Sequence, residues 1–595
     1  MSAQSLPQAI LHGRFQISPT VILCIIAAGV PIALGFANSY YTTLFTFAVI
    51  YLIASMGLNV LTGYTGIISI AHGALVCVGA YAAAIATVNY GWNFWPAAVL
   101  ATVTGMFFSV LMGLPALRLS SWYFVLVTIA FTMMVPGMLV DLRDFTGGYS
   151  GVIGVPSPEI GPITGQGGFF AILIVVAALL WWIIANLIDS RIGWALHALR
   201  DGNVGAEANG VSSARMRLFA FAFSGACAGL AGAFYAAAKI VVTPEEFSFD
   251  FSILFLFIVI LGGPGRLAGP LFGVLAFYVL PELLTVLREY RMIVFGAGLL
   301  AFSVFLPAGL AGGLHAFTRR GRTRKTVASR GSEATQEAKA VEGAALTVDG
   351  LSKNFGGLKA LNDVSLHASK GSIHVIVGPN GSGKTTLLNI VSGFYPASGG
   401  TIRLDDKPLV GRSPATIASF GIQRTFQTPK LLGELTLLEN TCFGAYTREK
   451  ATTFEIALSL PRARREKQEI VAEAHRLLRL VGLDHLDDLP AAELTHGQQR
   501  LAEIARALMA HPNIILLDEP AAGLSLGELD RLGDLLKEVR RLGITLVMVE
   551  HHIDLVANVA DHVTVLDRGS VLASGTPREV FQNAAVIAAY MGGAK

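Results

Sequence analysis

Ile373-His374-Val375-Ile376-Val377-Gly378-Pro379-Asn380-Gly381-Ser382-Gly383-Lys384-Thr385-Thr386 is the stretch from which the rest of the chain can be read. A short β-prone run leads into a glycine-rich turn, and Lys-Thr-Thr opens a helix. In that strand, loop and helix order the spacing is a phosphate-binding loop. Its glycines let backbone N–H groups converge on phosphate oxygens, and the helix that follows adds the positive end of its dipole. Gly378 to Thr386 (Gly378, Pro379, Asn380, Gly381, Ser382, Gly383, Lys384, Thr385 and Thr386) are therefore the candidate residues for ATP. Lys384 is placed to neutralise the β/γ-phosphates and Thr385 to coordinate Mg²⁺.

Two further apolar runs support this reading. Ile514–Leu517 ends in Asp518-Glu519-Pro520, which sets two carboxylates at the carboxyl end of a buried strand, where open α/β sheets bind ligands. Adjacent acids there are costly unless used, so Asp518 is the candidate Mg²⁺ ligand and Glu519 the candidate general base. Thr545–Val549 delivers Glu550-His551-His552 to the same edge. His551 is a candidate γ-phosphate contact, although a histidine after a strand is also a common surface or capping residue. From Ala345 onward the chain reads as a soluble α/β domain.

Before Ala345 the character is different. Of 595 residues 53% are hydrophobic and 14% charged, well under the roughly 25% charge of soluble proteins. Part of the chain therefore belongs in a lipid bilayer. A net charge of +3 gives no argument for nucleic acid. The four cysteines, Cys24, Cys77, Cys227 and Cys442, have no paired spacing and imply neither disulfides nor a metal site.

Between Thr20 and Leu310 the apolar stretches are near the ~20 residues that cross a bilayer as helix. The expected spans are 20–36, 42–61, 67–88, 96–117, 123–140, 169–188, 218–238, 248–261, 267–287 and 292–310. This makes about eight to ten in all, with the stretch ending at Leu261 short enough to be re-entrant. No cleavage pattern follows the polar segment 1–19, so the first span reads as retained. Arginines in the loop 189–217, together with Arg319, Arg320, Arg322, Arg324 and Lys325, place those segments on the cytoplasmic side. The acid-bearing loops 141–168 and 239–250 fall outside. Residues 319–344 lack apolar periodicity and read as a basic, polar linker.

Residues 345–595 resemble an ATP-binding-cassette (ABC) ATPase. The segment Leu494-Thr495-His496-Gly497-Gln498-Gln499-Arg500 is similar to the signature loop of that family, and Arg424-Thr425-Phe426-Gln427 to its Q-loop. The resemblance implies that Thr495, Gly497 and Gln498 contact nucleotide, that Gln427 senses Mg²⁺ and nucleotide as metal ligand and catalytic residue, and that Phe355 stacks on adenine. It implies that His551 is the switch histidine and that Ala521–Ser525 is the D-loop. His496 stands where the common pattern has glycine, and Ser525 where many members have aspartate. Since in this family the signature loop of one cassette closes over ATP held by another, the resemblance implies a second ABC ATPase subunit.

The segment 41–307 resembles the permease of branched-chain (hydrophobic) amino acid ABC importers. The residues that carry this are Gly57-Leu58-Asn59, Gly63-Tyr64-Thr65-Gly66, Ser69, His72, Thr146-Gly147-Gly148, Gly262-Gly263-Pro264-Gly265 and Gly269-Pro270, with Gly356–Leu361 in the ATPase half. Residues 195–211 resemble a coupling helix, with Glu207, Ala208 and Gly210 as the matching residues; an amphipathic interfacial helix is the other reading. Gly225 and Gly229 make a small-xxx-small packing face. Asn59 and His72 are polar groups in apolar lengths, marking either a solute pathway or a bond to helix backbone.

The fold class expected is therefore multi-domain: an all-α polytopic transmembrane permease over 20–318, joined to an α/β P-loop NTPase with a helical subdomain over 345–595. The resemblance implies ATP-driven import of branched-chain or other amino acids across a bacterial inner membrane. The expected partners are a second permease subunit, a second ATPase subunit and a periplasmic solute-binding protein. Related permeases handle urea and amides. An ABC exporter half-transporter has longer charged cytoplasmic helices and fewer spans than these apolar stretches provide.

Overall fold

The computed structural model describes residues 39–283, apart from 120, 162 and 163, together with scattered positions between 290 and 313, and residues 342–591. The segment 1–19, the span 20–36, most of the span 292–310 and the linker 319–341 lie outside the described residues. The chain divides into two units. One comprises Met1–Arg200 and Ala214–Lys325, the other Asp201–Ser213 and Thr326–Lys595.

The first unit is helical. Its elements are α1 (Ser39–Leu58), α2 (His72–Ala84), α3 (Phe94–Ala116), α4 (Ser121–Asp141), α5 (Gly165–Ile188), α6 (Arg191–Asp201) and, after the excursion 201–213, α8 (Ser213–Ala238) and α9 (Phe249–Gly262). Six helices among the described residues are long and apolar enough to cross a membrane: Tyr40–Tyr64, His72–Asn89, Phe94–Ala116, Trp122–Asp141, Gly165–Ile188 and Ser213–Ala238. Among the described residues the apolar runs expected at 248–261 and 267–287 carry the helices Phe249–Gly262 and Gly269–Leu283. The turn that separates them contains Gly263 (φ +131°) and Gly265 (φ +70°), a backbone no helix continues through.

Close packing follows from small residues. A Cβ on Gly229 would meet the Ala101 carbonyl, so α8 and α3 approach backbone to backbone. Ser109 Oγ donates to Phe221 O at 2.7 Å across the same pair. The face of Gly225 and Gly229 is thus a helix-packing surface.

Asn59 and His72 bond backbone. Asn59 begins a π turn, Asn59–Tyr64, that continues α1. Its amide nitrogen donates to Arg266 O at 2.9 Å and its oxygen accepts from Gly265 N at 3.0 Å, which ties two glycine-rich stretches together. His72 Nε2 donates to Ala54 O at 2.8 Å, and its ring meets the Phe255 ring edge-on.

The second unit is built on two sheets. A four-stranded antiparallel sheet includes β1 (Leu346–Phe355), β2 (Leu358–Ala368) and β4 (Gly399–Leu404). The six-stranded sheet runs, in spatial order, β10 (Ser570–Gly575), β9 (His562–Asp567), β3 (Ile373–Val377), β8 (Thr545–Val549), β7 (Ile514–Asp518) and β6 (Ile422–Arg424). All neighbours from β9 to β6 pair in parallel, and only β10 is antiparallel. Strands β3, β7 and β8 are buried at every position, as expected for a parallel sheet covered on both faces. The helical part of the unit includes α15 (Pro461–Leu480) and α16 (His496–Met509).

The segment expected as one helix over 195–211 is two helices. Gly202 (φ +148°) separates α6 from the short α7 (Asn203–Ala208). The excursion carrying α7 belongs to the second unit. A Cβ on Gly205 would lie 3.2 Å from Lys430 Cβ, and one on Gly210 (φ +87°) would run into the Thr447 methyl. Glu207 accepts from Ser213 Oγ at 2.8 Å.

Two outcomes are expected. Gly229→Val destabilises the helical unit by about 3 kcal/mol or more through overpacking, read as loss of detergent-extracted folded protein in a thermal melt, while Gly137→Val on an open face does not. In the second unit, burial and the neighbouring His562 draw His374 from 6.5 to about 4. The unfolded chain then binds the extra proton, so stability is lost as pH falls from 6.5 towards 4, by roughly 3 kcal/mol. Urea midpoints against pH check this, and His374→Gln is expected to flatten the profile.

Candidate nucleotide site

Parallel register decides the site. Val549 pairs with Ile376 on one side and Asp518 on the other, and Arg424 pairs with Leu516. The carboxyl ends of β3, β8, β7 and β6 therefore open at one edge. They carry, in turn, the phosphate loop, Glu550-His551, Asp518-Glu519 and the segment Arg424–Gln427.

In the loop, Gly378 (φ +151°), Gly381 (φ +82°) and Gly383 (φ +102°) adopt backbone that favours glycine. Lys384 opens α11 (Lys384–Val391), and its Nζ donates to Gly378 O and Pro379 O, both at 2.8 Å. Burial pulls its ammonium below the usual lysine range, while Glu519 and Asp518 pull it up. Thr385 is exposed at the mouth, and Ser382 Oγ is buried with no hydrogen bond among the described residues. An open nest of N–H groups, an ammonium and a free buried hydroxyl fit the oxygens of a nucleotide phosphate and its divalent ion.

Asp518 ends β7 at 3% exposure. Burial pushes its carboxyl up, and Arg424, 3.0 Å away, opposes this. Arg424 also donates to Asn389 Oδ1 and Ser392 Oγ, both at 2.7 Å, so one guanidinium joins β6, α11 and β7. Glu519 follows with φ +49°, a left-handed conformation for a non-glycine residue, held by Glu519 N donating to Val549 O. Such strain persists only where the surroundings impose it. Its Oε2 accepts from Gln427 Nε2 at 2.9 Å, which brings together three residues singled out from sequence: Asp518, Glu519 and Gln427.

Sequence reasoning assigned no role to Arg424 or Glu550. Glu550 is fully buried, and its carboxylate accepts from the backbone N–H of Ala521, His551 and His552. It thus joins the segment after Glu519 to the loop of His551. His551 itself is exposed and stacks on His552 with ring centroids 4.8 Å apart. The available signal for both residues was an ionisable side chain directly bordering a strand end.

The remaining candidates sit elsewhere in the unit. Phe355, at the end of β1, is exposed, with Lys353 Nζ 4.8 Å above its ring and Tyr395 edge-on to it. Thr495 caps α16: its hydroxyl accepts from Gln498 N, and its own N–H donates to Gln498 Oε1. A Cβ on Gly497 would collide with Glu528, so the signature segment lies against the start of α17 (Leu526–Arg541), where Ser525 is the cap.

Comparison with known proteins agrees with this geometry. Residues 40–303 match the family described as branched-chain amino acid transport system / permease component, 361–522 match ABC transporter, and 570–595 match branched-chain amino acid ATP-binding cassette transporter. The high-affinity branched-chain amino acid transport ATP-binding protein LivG of Salmonella typhimurium is 40% identical over 248 residues, 42% of this chain and 97% of that protein. BraF of Pseudomonas aeruginosa, of the same description, is 41% identical over 249 residues, 42% and 97% of the two chains. A probable LivG of Archaeoglobus fulgidus is 38% identical over 247 residues, 42% and 95%. Among solved structures, a nucleotide-free ATP-binding cassette from an ABC transporter is 36% identical and covers 42% of this chain and 98% of that one, with a TM-score of 0.37. With an apolar helical unit matched to the permease and a nucleotide site matched to the ATPase, the chain belongs to the branched-chain amino acid ABC transporter family, as a membrane permease and an ATP-hydrolysing cassette fused in one polypeptide.

Proposed function

We propose that the chain imports a small apolar amino acid, branched-chain amino acids first among them, using ATP hydrolysed at the edge of the six-stranded sheet. The observation that carries the reading is the excursion Asp201–Ser213. It leaves and re-enters the helical unit by continuous chain, yet it packs within the ATPase unit beside Lys430, three residues beyond Gln427. A displacement of the nucleotide-sensing segment is in this way handed along the chain to α6 and to the apolar α8.

In this reading the permease spans 20–318 of a bacterial inner membrane, and 345–595 is the cytoplasmic ATPase. Glu519 takes a proton from the attacking water on a carboxylate oxygen, and Gln427, bonded to it, reports the state of that carboxylate. Lys384 and the N–H groups of 378–386 hold the phosphates, and His551 closes on the γ-phosphate. Thr385, Asp518 and Gln427 would hold Mg²⁺, which would supply positive charge to the phosphate oxygens. Phe355 stacks on the base.

The signature residues Thr495, Gly497 and Gln498 complete the site of a second cassette, so the working assembly pairs this chain with another ATPase subunit and another permease. Backbone bonds already use Asn59 and His72, and selectivity is left to a periplasmic binding protein.

Uptake of labelled leucine into membrane vesicles carrying the assembled complex, with its binding protein added, tests the reading. Glu519→Gln is expected to cut hydrolysis by about 100-fold or more while leaving ATP bound, and Lys384→Ala to abolish binding as well as uptake. Leucine accumulation that persists in both variants would remove the ATPase from the mechanism, and extrusion without binding protein would reverse its direction.

A further inference from the structure

Three ionisable side chains of α16 are almost wholly buried and lie outside the nucleotide site: Arg500 (3% exposed), Glu503 (1%) and Arg506 (2%). All three are spent on the backbone of one neighbouring segment. Glu503 accepts from Phe426 N at 3.3 Å and from Lys430 N at 3.0 Å. Arg506 donates to Lys430 O at 2.6 Å and to Glu503 Oε1 at 3.2 Å. Arg500 donates to Phe426 O at 2.5 Å and to Gln427 O. Buried charges are costly unless fully paired, and here the pairing is to a loop with no regular structure of its own. The same loop is pinned at its start by Arg424 to Asp518, Asn389 and Ser392. At its far end Lys430 packs beside Gly205 of the excursion.

We propose that Arg500, Glu503 and Arg506 are positioning residues for energy coupling: they bind the segment Phe426–Lys430 to the helix that begins with the signature residues, making the two one rigid strut. Movement of that helix then reaches Gly205 through Lys430 without slack. A loop held only by Gln427 would absorb the same movement in its own dihedral angles. Arg500 reaches the site only at the Gln427 carbonyl, while Glu503 and Arg506 bond none of the candidate site residues, so the role of these two is separable from hydrolysis.

The inference rests on the transport reading, and its test has two arms. In proteoliposomes holding the full complex, uptake and hydrolysis are measured together, with a fluorescent ATP analogue reporting binding. Glu503→Gln turns one acceptor oxygen into a donor facing a backbone N–H. Analogue affinity is expected to stay within about twofold of the parent, while ATP hydrolysed per solute moved rises roughly fivefold or more. An unchanged ratio, whether both rates hold or fall together, overturns the proposal.

The second arm needs no solute. A Gly205→Cys/Lys430→Cys pair is within disulfide reach, and its cross-linking yield is expected to depend on nucleotide with Glu503 present and to lose that dependence with Glu503→Gln. Equal dependence in both overturns the strut even if the parent complex moves no solute, a result that would count against the transport reading instead. Arg506→Gln, which spares the carboxylate, serves where Glu503→Gln fails to fold.

Discussion

Parallel pairing of β3, β8, β7 and β6 is the constraint on which the catalytic half depends. Each strand is buried on both faces, so each can expose chemistry only where it ends. With all four running the same way, those ends meet at one edge, and Val549 between Ile376 and Asp518 sets their depth. The phosphate loop, the paired acids, Glu550 and the segment from Arg424 are neighbours for this reason alone. Glu519 pays for its place with a left-handed backbone at φ +49°.

Around that edge, buried charge is used to fasten loops rather than to fill a core. Arg424 meets Asp518 from a strand 94 residues away and ties in Asn389 and Ser392. Glu550 gathers three backbone N–H groups, and Glu503 with two arginines grips Phe426–Lys430. Such networks are costly when incomplete and specify one arrangement when every partner is present. The loops that border the site are therefore each fixed to more than one element.

The helical unit achieves specificity by other means. Among lipid-exposed helices there is little hydrophobic drive to associate, so contact relies on small residues that let backbones touch. Gly229 against Ala101 is one such contact. Polar groups inside it, Asn59 and His72, bond backbone: Asn59 joins the glycine-rich turn at Gly265 and Arg266, and His72 meets the Ala54 carbonyl of α1. This explains why glycine-rich stretches far apart in the chain work as one feature.

Local chemistry was legible in the sequence. A strand, a glycine loop and a lysine are covalent neighbours, and so are Asp518 and Glu519, so short-range pattern sufficed to find them. The lipid-soluble half was equally plain from hydropathy, since composition alone selects the solvent. What only the tertiary structure decided involves partners distant in the chain. Hydropathy marked 248–261 and 267–287 as separate apolar stretches, and the positive-φ glycines Gly263 and Gly265 form the turn between the helices found there. The stretch 195–211 divides at Gly202 for the same reason. Asn59 and His72 were polar groups whose surroundings the sequence leaves open, and the carbonyls they meet lie 207 and 18 residues away. Arg424 and Glu550 show locally only that they border a strand end, and Glu503 not even that, because the partners of a buried charge are what the fold brings to it.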